Sequence, residues 1–237
     1  MPNPQNFYGN LWKGKASGKI IPLQNRDWFH RYFLDYIINP MENPRQEIAV
    51  RLLKPGKKLL DIGCWDGRLL ASIDQAGLFQ ELYGIDISSD GVEKVISKGY
   101  NAEVVDLNNE TLPFPDEFFD AVTILAVLEH VFDPYFVIQE IHRILHSNGI
   151  LIIDVPNVAS FSNRVRILVG HLPVTSRDPG WDGGHLHYFT KRSLDQFLTS
   201  QGFSITARKA TGGHSTIRNW WLSLLAGELI YSCNKLF

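Results

Sequence analysis

Cysteine is scarce in this sequence of 237 residues, which contains only Cys64 and Cys233. Two thiols this far apart give neither a disulfide framework nor the spacing of a metal-binding motif. Their scarcity favours a reduced compartment, and we predict that the protein is cytoplasmic.

Long apolar runs are also lacking. No stretch reaches the roughly 18 apolar residues that a membrane-spanning helix needs, and the nearest approach, residues 220–231, is interrupted by Glu228. The N-terminal residues are rich in Asn, Gly, Lys and Pro, and they do not contain the apolar core of a signal peptide. We therefore expect no transmembrane segment.

Charge of one sign is not in excess, because the formal net charge is only −2. This value gives no general attraction to nucleic acid, and we predict no nucleic-acid partner. The distribution is uneven, however: residues 60–155 carry 17 acidic and four basic side chains, whereas residues 156–218 carry three acidic and eight basic ones. Either the surface is simply decorated unevenly, or the later segment contacts an anionic ligand.

Short apolar strands alternate with helical segments through the middle of the chain. The five strand candidates contain the sequences KKLLDIG, LYGIDI, AEVVDL, FDAVTILAV and GILIIDVP. Continuous apolar strand cores are typical of a parallel sheet that is covered on both faces. We therefore predict an α/β fold: a doubly wound, mostly parallel, Rossmann-like sheet with helices on both faces and a ligand at the carboxyl ends of its strands.

Helix-capping residues predict where some of the helices between these strands begin. Ser89 and Asp90 are cap candidates for the helix after the second strand, and Asp133 followed by Pro134 predicts the start of the helix after the fourth.

We interpret the chain as a single domain in four parts. Residues 1–54 form a helical cap, 55–157 the ligand-binding core, 158–190 a lid or acceptor insertion of helix and loop, and 191–237 a C-terminal helix, strand and apolar tail. The insertion is longer than an ordinary connection, and such loops are usually functional. The tail predicts one more amphipathic helix, which packs on its own domain or a partner, or lies at a membrane interface near a lipid-linked substrate.

A glycine-containing turn follows the first strand, in the sequence LLDIGCWDGRLL of residues 59–70. Gly63 permits a sharp turn and close approach of a ligand, and Gly67 opens the next helix. Neither the dinucleotide pattern G-x-G-x-x-G nor the phosphate-loop pattern is present. Trp65 stands between the glycines, and we predict that it has a negative φ and turns its indole away from the ligand, toward the N-terminal helices or the lid.

Carboxylates mark the ends of three consecutive strands, at Asp61, Asp86 and Asp106. Asp86 follows Gly67 by 19 residues, a spacing typical of an acid that accepts hydrogen bonds from ribose hydroxyls. Asp106 is placed to accept from an amino group such as that of adenine. Acidic surroundings suit a pyrophosphate poorly and a positively charged nucleoside well, and S-adenosylmethionine is such a ligand.

These stretches resemble class I S-adenosylmethionine-dependent methyltransferases of the methyltransferase-11/23 type. LLDIGCWDG resembles the first motif of the family and YGIDIS the second. AEVVDLNNETLPFPDEFFDAVTILAVLEHVFDP resembles the adenine-binding acid with the fourth strand, and LHSNGILIIDVPN the fifth-strand motif. Together they cover roughly residues 55–157 in the order and spacing of the family.

The resemblance implies S-adenosylmethionine as cofactor and S-adenosylhomocysteine as product. The implied cofactor contacts are Asp61, Gly63, Cys64, Asp66, Gly67, Asp86, Ile87, Asp106, Leu107, Ala126 and His130. Among them, Gly63 would contact the methionine part and Asp86 the ribose. Ala126 and His130 would lie near the sulfonium, and Asp61 would orient the loop or reach the amino group through water.

The segment after the fifth strand, residues 156–203, resembles methyltransferases of the methionine-biosynthesis W type and of glycan or lipid-linked sugar assembly. Its candidates for acceptor contact are Arg164, Arg166, Arg177, Trp181, Asp182, His185, His187 and Tyr188. The first two arginines either hold a phosphate or carboxylate or face solvent. His185 and His187 would share a face on a strand, but no further ligand is in register, so we predict no metal.

Methyl transfer needs alignment more than acid–base help, because the sulfonium is already electrophilic. His130, His185 and His187 are weak candidates for a base, each with a structural alternative. We predict methyl transfer to a small-molecule or saccharide acceptor, anionic or lipid-linked, at oxygen. The rival functions are a non-catalytic S-adenosylmethionine-binding regulatory or partner subunit and a nicotinamide dehydrogenase.

Overall fold

The computed structural model of the protein describes residues 45–175, 184–211 and 215–236, except for the side chains of 215–217. Its strands are β1 (Gly56–Ile62), β2 (Phe79–Asp86), β3 (Asn101–Val104), β4 (Phe119–Leu125), β5 (Leu145–Pro156), β6 (Phe203–Thr211) and β7 (Glu228–Lys235). Its helices are α1 (Arg45–Leu52), α2 (Arg68–Gln75), α3 (Ser89–Ser97), α4 (Pro134–Ile144), α5 (Phe161–Leu168), α6 (Lys191–Ser200), α7 (Ser215–Trp220) and α8 (Leu222–Leu225), and a 3₁₀ turn spans Leu128–His130.

The strands form one sheet in the order β3-β2-β1-β4-β5-β7-β6. β1 pairs in parallel with β2 and with β4, and β5 continues the parallel set. β7 is inserted between β5 and β6 and runs antiparallel to both. The predicted doubly wound, mostly parallel sheet is therefore confirmed.

Successive residues of the central strands enter two separate cores, one on each face of the sheet. Leu60 and Ile62 of β1 pack in the larger cluster with Val122 and Ile124 of β4, whereas Leu59 packs in the smaller one. This alternation follows from the two-residue period of a strand. Because both faces are covered by helices, the strands are apolar throughout, which is the pattern that the sequence shows.

Local capping explains where the helices begin. Asp133 accepts hydrogen bonds from the backbone N–H groups of Tyr135 and Phe136 at the start of α4, as predicted. The cap of α3 was predicted wrongly: Ser88, rather than Ser89 or Asp90, accepts from the N–H of Gly91. Ser88 takes the cap because its backbone is extended, with its N–H group held by Asp86 Oδ1, whereas Ser89 is already the first helical residue.

The single amphipathic helix predicted for the tail is wrong. Two short helices, α7 and α8, precede β7, whose residues Leu229 to Cys233 are buried in the middle of the sheet. The end of the apolar run, from Leu229 to Tyr231, is therefore a buried strand, whereas its beginning lies around α7 and α8, where Trp220 and Trp221 are exposed. In the part of the chain that the structure describes, no helix is long and apolar enough to cross a membrane.

Buried charge ties α1 to the last strands. The Arg45 Nε atom lies 3.2 Å from Asp154 Oδ2 on β5, and Nη2 lies 2.8 Å from Glu228 Oε1 on β7. Asp154 is completely buried, and burial raises its pKa well above the usual range, in opposition to the effect of Arg45. The predicted helical cap lies, apart from α1, outside the described residues.

Replacing Arg45 with methionine is expected to destabilise the fold by about 3 kcal/mol, because it leaves the buried carboxyl of Asp154 without its counter-charge. Arg51→Met is the matched control, since Arg51 pairs with Glu47 on the exposed face of α1; we expect a loss below about 0.5 kcal/mol. Urea denaturation measures both values. Equal losses in the two variants would contradict the role given to Arg45.

Candidate functional site

The strand order places a crevice at the carboxyl ends of β1 and β4. From β1 the chain continues to β2 and β3 on one side, and from β4 it continues to β5 on the other. Loops that leave neighbouring strands in opposite directions separate there, and ligands of open α/β sheets bind at such a point. The turn after β1 and the 3₁₀ turn after β4 border this crevice.

The turn after β1 is pinned to the end of β2. The N–H groups of Gly63 and Cys64 both donate to the carbonyl of Ile85, at 2.8 and 3.1 Å. Gly63 has φ +75°, and a Cβ at this position would lie 2.3 Å from Val127 Cγ2. Both the conformation and the contact with the turn after β4 therefore require glycine.

The prediction of a negative φ for Trp65 is wrong. Trp65 has φ +43°, and its N–H donates to Asp86 Oδ2 at 2.8 Å. The left-handed conformation aims this N–H group at the carboxylate, which explains why a bulky residue tolerates it. The ring is 36% exposed, with the Arg68 guanidinium 5.0 Å from its centroid.

Two of the predicted cofactor contacts have side chains engaged elsewhere. The buried thiol of Cys64 packs beside Gly84 and Leu70, and burial raises its pKa. Asp66 pairs with Arg68, with 2.8 Å between Oδ2 and Nε. Their assignment as cofactor contacts therefore concerns their backbone groups only, and it stays a prediction.

Asp61 is the buried carboxyl at the centre of the crevice edge. It is 3% exposed and accepts a 2.7 Å hydrogen bond from Thr123 Oγ1 of β4. Burial, together with the charge of the nearby Asp86, raises its pKa to about 7 in spite of the opposing hydrogen bond from Thr123. One hydrogen bond offsets little of the cost of burying this charge, so a positively charged ligand group would stabilise the carboxylate.

Cofactor affinity is expected to depend on the charge of Asp61. With a pKa of about 7, Asp61 is protonated in the ligand-free chain at lower pH, and a ligand cation that requires the carboxylate must displace this proton. Affinity for S-adenosylmethionine should therefore fall about tenfold per pH unit between about pH 7 and pH 5. Calorimetry across this range in wild type and Asp61→Asn measures the slope, which the variant should lack; the same slope in both would contradict this role.

The acid at the end of β2 organises its surroundings. Asp86 Oδ1 accepts from the N–H of Ser88 and Oδ2 from that of Trp65, each at 2.8 Å. Burial raises its pKa, and these backbone hydrogen bonds oppose the shift. The carboxylate has about four acceptor positions, so at least one remains for a hydroxyl donor beside its backbone hydrogen bonds. Ile87 is partly buried beside it.

The acid after β3 caps its own turn. Asp106 Oδ1 accepts from the N–H of Asn108 and Oδ2 from the Asn109 amide, at 3.0 and 2.7 Å. Leu107 packs against the larger core cluster. Asn108 Oδ1 in turn accepts from the N–H of Phe132 at 2.7 Å, which fixes this turn to the segment after β4. The role of Asp106 toward adenine stays a prediction.

The segment after β4 begins with a strained residue. Ala126 has φ +56°, and its N–H donates to the carbonyl of Asp154 at 3.0 Å. A left-handed alanine is unfavourable and is found where the surroundings impose it, often beside a functional site. His130 follows on the 3₁₀ turn, with Nδ1 3.4 Å from the carbonyl oxygen of Gly184.

On a strand, the two histidines of the insertion would share a face. The chain is irregular there, however, and the two side chains make different contacts. His185 Nδ1 lies 2.7 Å from Thr175 Oγ1, and its ring makes an edge contact with that of His130 at a centroid distance of 4.7 Å. His187 Nε2 instead lies 3.3 Å from the carbonyl oxygen of Phe132. Of the two, His185 is the one that joins the turn after β4.

The other acceptor candidates are dispersed. Arg164 Nε donates to the carbonyl of Ala159 at 2.7 Å and Arg166 Nε to that of Leu172 at 2.9 Å, so each is engaged within its own segment. Tyr188 is half exposed. Arg177, Trp181 and Asp182 lie outside the described residues, and the lid itself therefore stays a prediction.

Sequence reasoning missed Glu129, whose side chain is 1% exposed. Burial raises its pKa to about 8. Its Oε1 lies 3.9 Å from His185 Nε2, and its carbonyl accepts from the N–H groups of Leu186 and His187. The available signal was an acid beside a histidine in the mostly apolar segment AVLEHV.

Comparison with known proteins agrees with this geometry. A family model described as a methyltransferase domain matches residues 32–208. Among curated proteins, the chain is 34% identical over 118 residues to a demethylmenaquinone methyltransferase of Geobacillus stearothermophilus, covering 46% of this chain and 49% of that protein. It is 35% identical over 134 residues to a ubiquinone biosynthesis O-methyltransferase of Haemophilus ducreyi, covering 52% and 54%.

A third curated relative is a 27-O-demethylrifamycin SV methyltransferase of Amycolatopsis mediterranei, 35% identical over 150 residues, covering 57% of this chain and 55% of that protein. The chain thus spans about half the length of the curated relatives that it matches. An S-adenosylmethionine-dependent methyltransferase structure from Mesorhizobium loti has the same fold, with a TM-score of 0.60, 16% identity, and coverage of 81% of this chain and 98% of that one.

Proposed function

The chain belongs to the S-adenosylmethionine-dependent methyltransferases, and on that premise we propose that it transfers a methyl group from S-adenosylmethionine to an oxygen atom of a small-molecule or saccharide acceptor. The observation that carries the proposal is the crevice edge at β1. There the carboxyl of Asp61 is buried with one hydrogen bond, from Thr123, to offset the cost of burying its charge. It lies beside a turn whose backbone N–H groups are fixed by hydrogen bonds to Asp86 and Ile85.

The residues fit the cofactor in charge and shape. When bound, S-adenosylmethionine supplies a methyl group on a positively charged sulfur. Asp61 provides negative charge for the ammonium end, and Asp86 offers acceptor oxygens for hydroxyl groups. The glycine at position 63 keeps side-chain atoms out of the turn. The absence of phosphate-binding glycine patterns from this turn also favours a ligand without a pyrophosphate.

Oxygen as the methylated atom is supported by two kinds of observation. Two relatives are named for methylation at oxygen: the ubiquinone biosynthesis O-methyltransferase and the 27-O-demethylrifamycin SV methyltransferase. In addition, Glu129, His130 and His185 meet beside the turn after β4, and we call them the polar corner. Groups of this kind hold a hydroxyl and receive its proton. His187, which contacts Phe132 instead, is given no part in this corner.

The proposal is tested by turnover with labelled S-adenosylmethionine. Acceptors are grouped by chemistry: hydroquinones, catechols, free saccharides, and lipid-linked saccharides in detergent micelles. We expect label transfer and S-adenosylhomocysteine formation with at least one hydroxyl acceptor and none with its O-methylated analogue. Transfer to amines alone would contradict methylation at oxygen. Tight cofactor binding without turnover, together with a stable complex with another enzyme, would instead support the rival regulatory subunit.

A further inference from the structure

The polar corner brings three potential metal ligands together from two distant parts of the chain. Glu129 and His130 are on the 3₁₀ turn after β4, and His185 is near the end of the insertion. One carboxylate oxygen and one nitrogen of each imidazole lie within 4.8 Å of one another. The sequence did not predict this set, because its three members are not related by a motif spacing.

Glu129 is one of two buried acids of the described residues whose carboxylate oxygens lack a hydrogen-bond donor, the other being Asp154. Asp61 accepts from Thr123, Asp106 caps its own turn, and Asp154 has Arg45 at 3.2 Å. Glu129 differs from Asp154 in its charge partner: Arg45 pairs with Asp154 and acts on Glu129 from outside ion-pair distance, whereas the cation-forming group within that distance of Glu129 is the imidazole of His185. A buried carboxylate without hydrogen-bond donors is energetically unfavourable unless a positive charge binds beside it.

The surrounding contacts hold these ligands in place. The N–H groups of Leu186 and His187 donate to the Glu129 carbonyl at 2.8 and 3.1 Å, which ties the insertion to the 3₁₀ turn. Thr175 Oγ1 contacts His185 Nδ1 at 2.7 Å. A partner on one ring nitrogen orients the other toward a metal, and Nε2 is the atom that faces Glu129.

We propose that Glu129, His130 and His185 bind a first-row divalent cation, with Zn²⁺ as the tightest of those commonly available. Two imidazoles and one carboxylate are a ligand set that such ions accept while keeping a coordination position open. Ligand atoms around a tetrahedral ion are about 3.4 Å apart, so small side-chain rotations would close the present set. With the cation bound, the acceptor oxygen would be held at the open position instead of giving its proton directly to these side chains. This role of the open position rests on the proposed function, whereas cation binding itself does not.

Titration with Co²⁺ tests the site, because cobalt replaces zinc and its visible absorption reports the ligand geometry. The full chain, without an affinity tag and freed of metal with a chelator, is titrated with Co²⁺ alone and then with Zn²⁺ as competitor. We expect one Co²⁺ per chain, displaced by one Zn²⁺. Glu129→Gln and His185→Asn should each weaken binding at least about 100-fold, and Thr175→Val about tenfold.

His187→Asn is the matched control, since this histidine lies two residues away and contacts Phe132; its affinity for Co²⁺ should equal that of the wild type. Circular dichroism and calorimetry with S-adenosylmethionine show whether each variant is folded. A wild-type chain that binds S-adenosylmethionine but no stoichiometric Co²⁺ would overturn this proposal and leave the proposed function intact. A chain that binds Co²⁺ at this site but no S-adenosylmethionine would overturn the proposed function instead. Equal losses in His187→Asn and His185→Asn would show adventitious binding and overturn the site.

Discussion

Replacing Gly63 with alanine is expected to abolish cofactor binding and to destabilise the fold by about 4 kcal/mol. A left-handed φ costs an alanine about 1–2 kcal/mol, and here the new Cβ would lie 2.3 Å from Val127 Cγ2, which adds an overpacking cost of about 1–3 kcal/mol. Relief of the clash would move the turn after β1 away from the end of β2. Denaturant unfolding and calorimetry with S-adenosylmethionine measure the two effects.

Gly77→Ala is the control that separates the cost of a left-handed backbone from the cost of the steric clash in Gly63→Ala. Gly77 has φ +62°, but among the described residues no heavy atom lies within 4 Å of the position that an alanine Cβ would occupy. This variant should lose only about 1 kcal/mol and should bind the cofactor normally. If both glycine variants bound S-adenosylmethionine like the wild type, the turn after β1 would not be part of the cofactor site.

Removing the carboxylate of Asp86 is the second change with a large expected effect. Asp86→Ala deletes the acceptor for the N–H groups of Trp65 and Ser88, each of which forms a charge-assisted hydrogen bond worth about 1.5–3 kcal/mol. It also deletes the acceptor proposed for the ribose. Affinity for S-adenosylmethionine should fall at least about 100-fold, which corresponds to about 2.7 kcal/mol.

Glu93→Ala is the control for Asp86→Ala, because Glu93 is exposed on α3 and lies outside the crevice edge. Its affinity should be unchanged. A small loss in Asp86→Ala, comparable with that of Glu93→Ala, would remove the acid at the end of β2 from the site.

The parallel part of the sheet was predictable because its signals are local. Apolar strands, helix-opening residues such as Asp133 and the acids at strand ends all lie within short windows of sequence, and β1 to β5 follow them. Right-handed crossovers then make such a set of strands and helices a doubly wound sheet, whereas the strand order itself is a finding of the structure. The acids Asp61 and Asp86 could be assigned to one edge for the same reason.

The tail could not be predicted from its own residues. A continuous apolar run fits a buried helix or a buried strand equally well, and the choice is made by pairing with β5 and β6, which lie far away in the sequence. The positive φ of Trp65 has a similar origin, since it depends on the position of the Asp86 carboxylate, 21 residues later.

Two of the three residues of the polar corner could be recognised as candidates from the sequence, but the corner itself could not. His130 and His185 were each recognised as candidates, but their contact depends on the path of the insertion back to the 3₁₀ turn. Glu129 was overlooked because a single acid beside a histidine is an ordinary surface pattern, whereas its burial is a property of the fold.

Calorimetric titration of the wild-type chain with S-adenosylhomocysteine examines the proposed cofactor site by itself, because it needs no acceptor. We predict one ligand bound per chain, with no heat of binding for oxidised or reduced nicotinamide dinucleotide under the same conditions. Absence of S-adenosylhomocysteine binding in a folded chain, or binding of the dinucleotide in its place, would contradict this prediction.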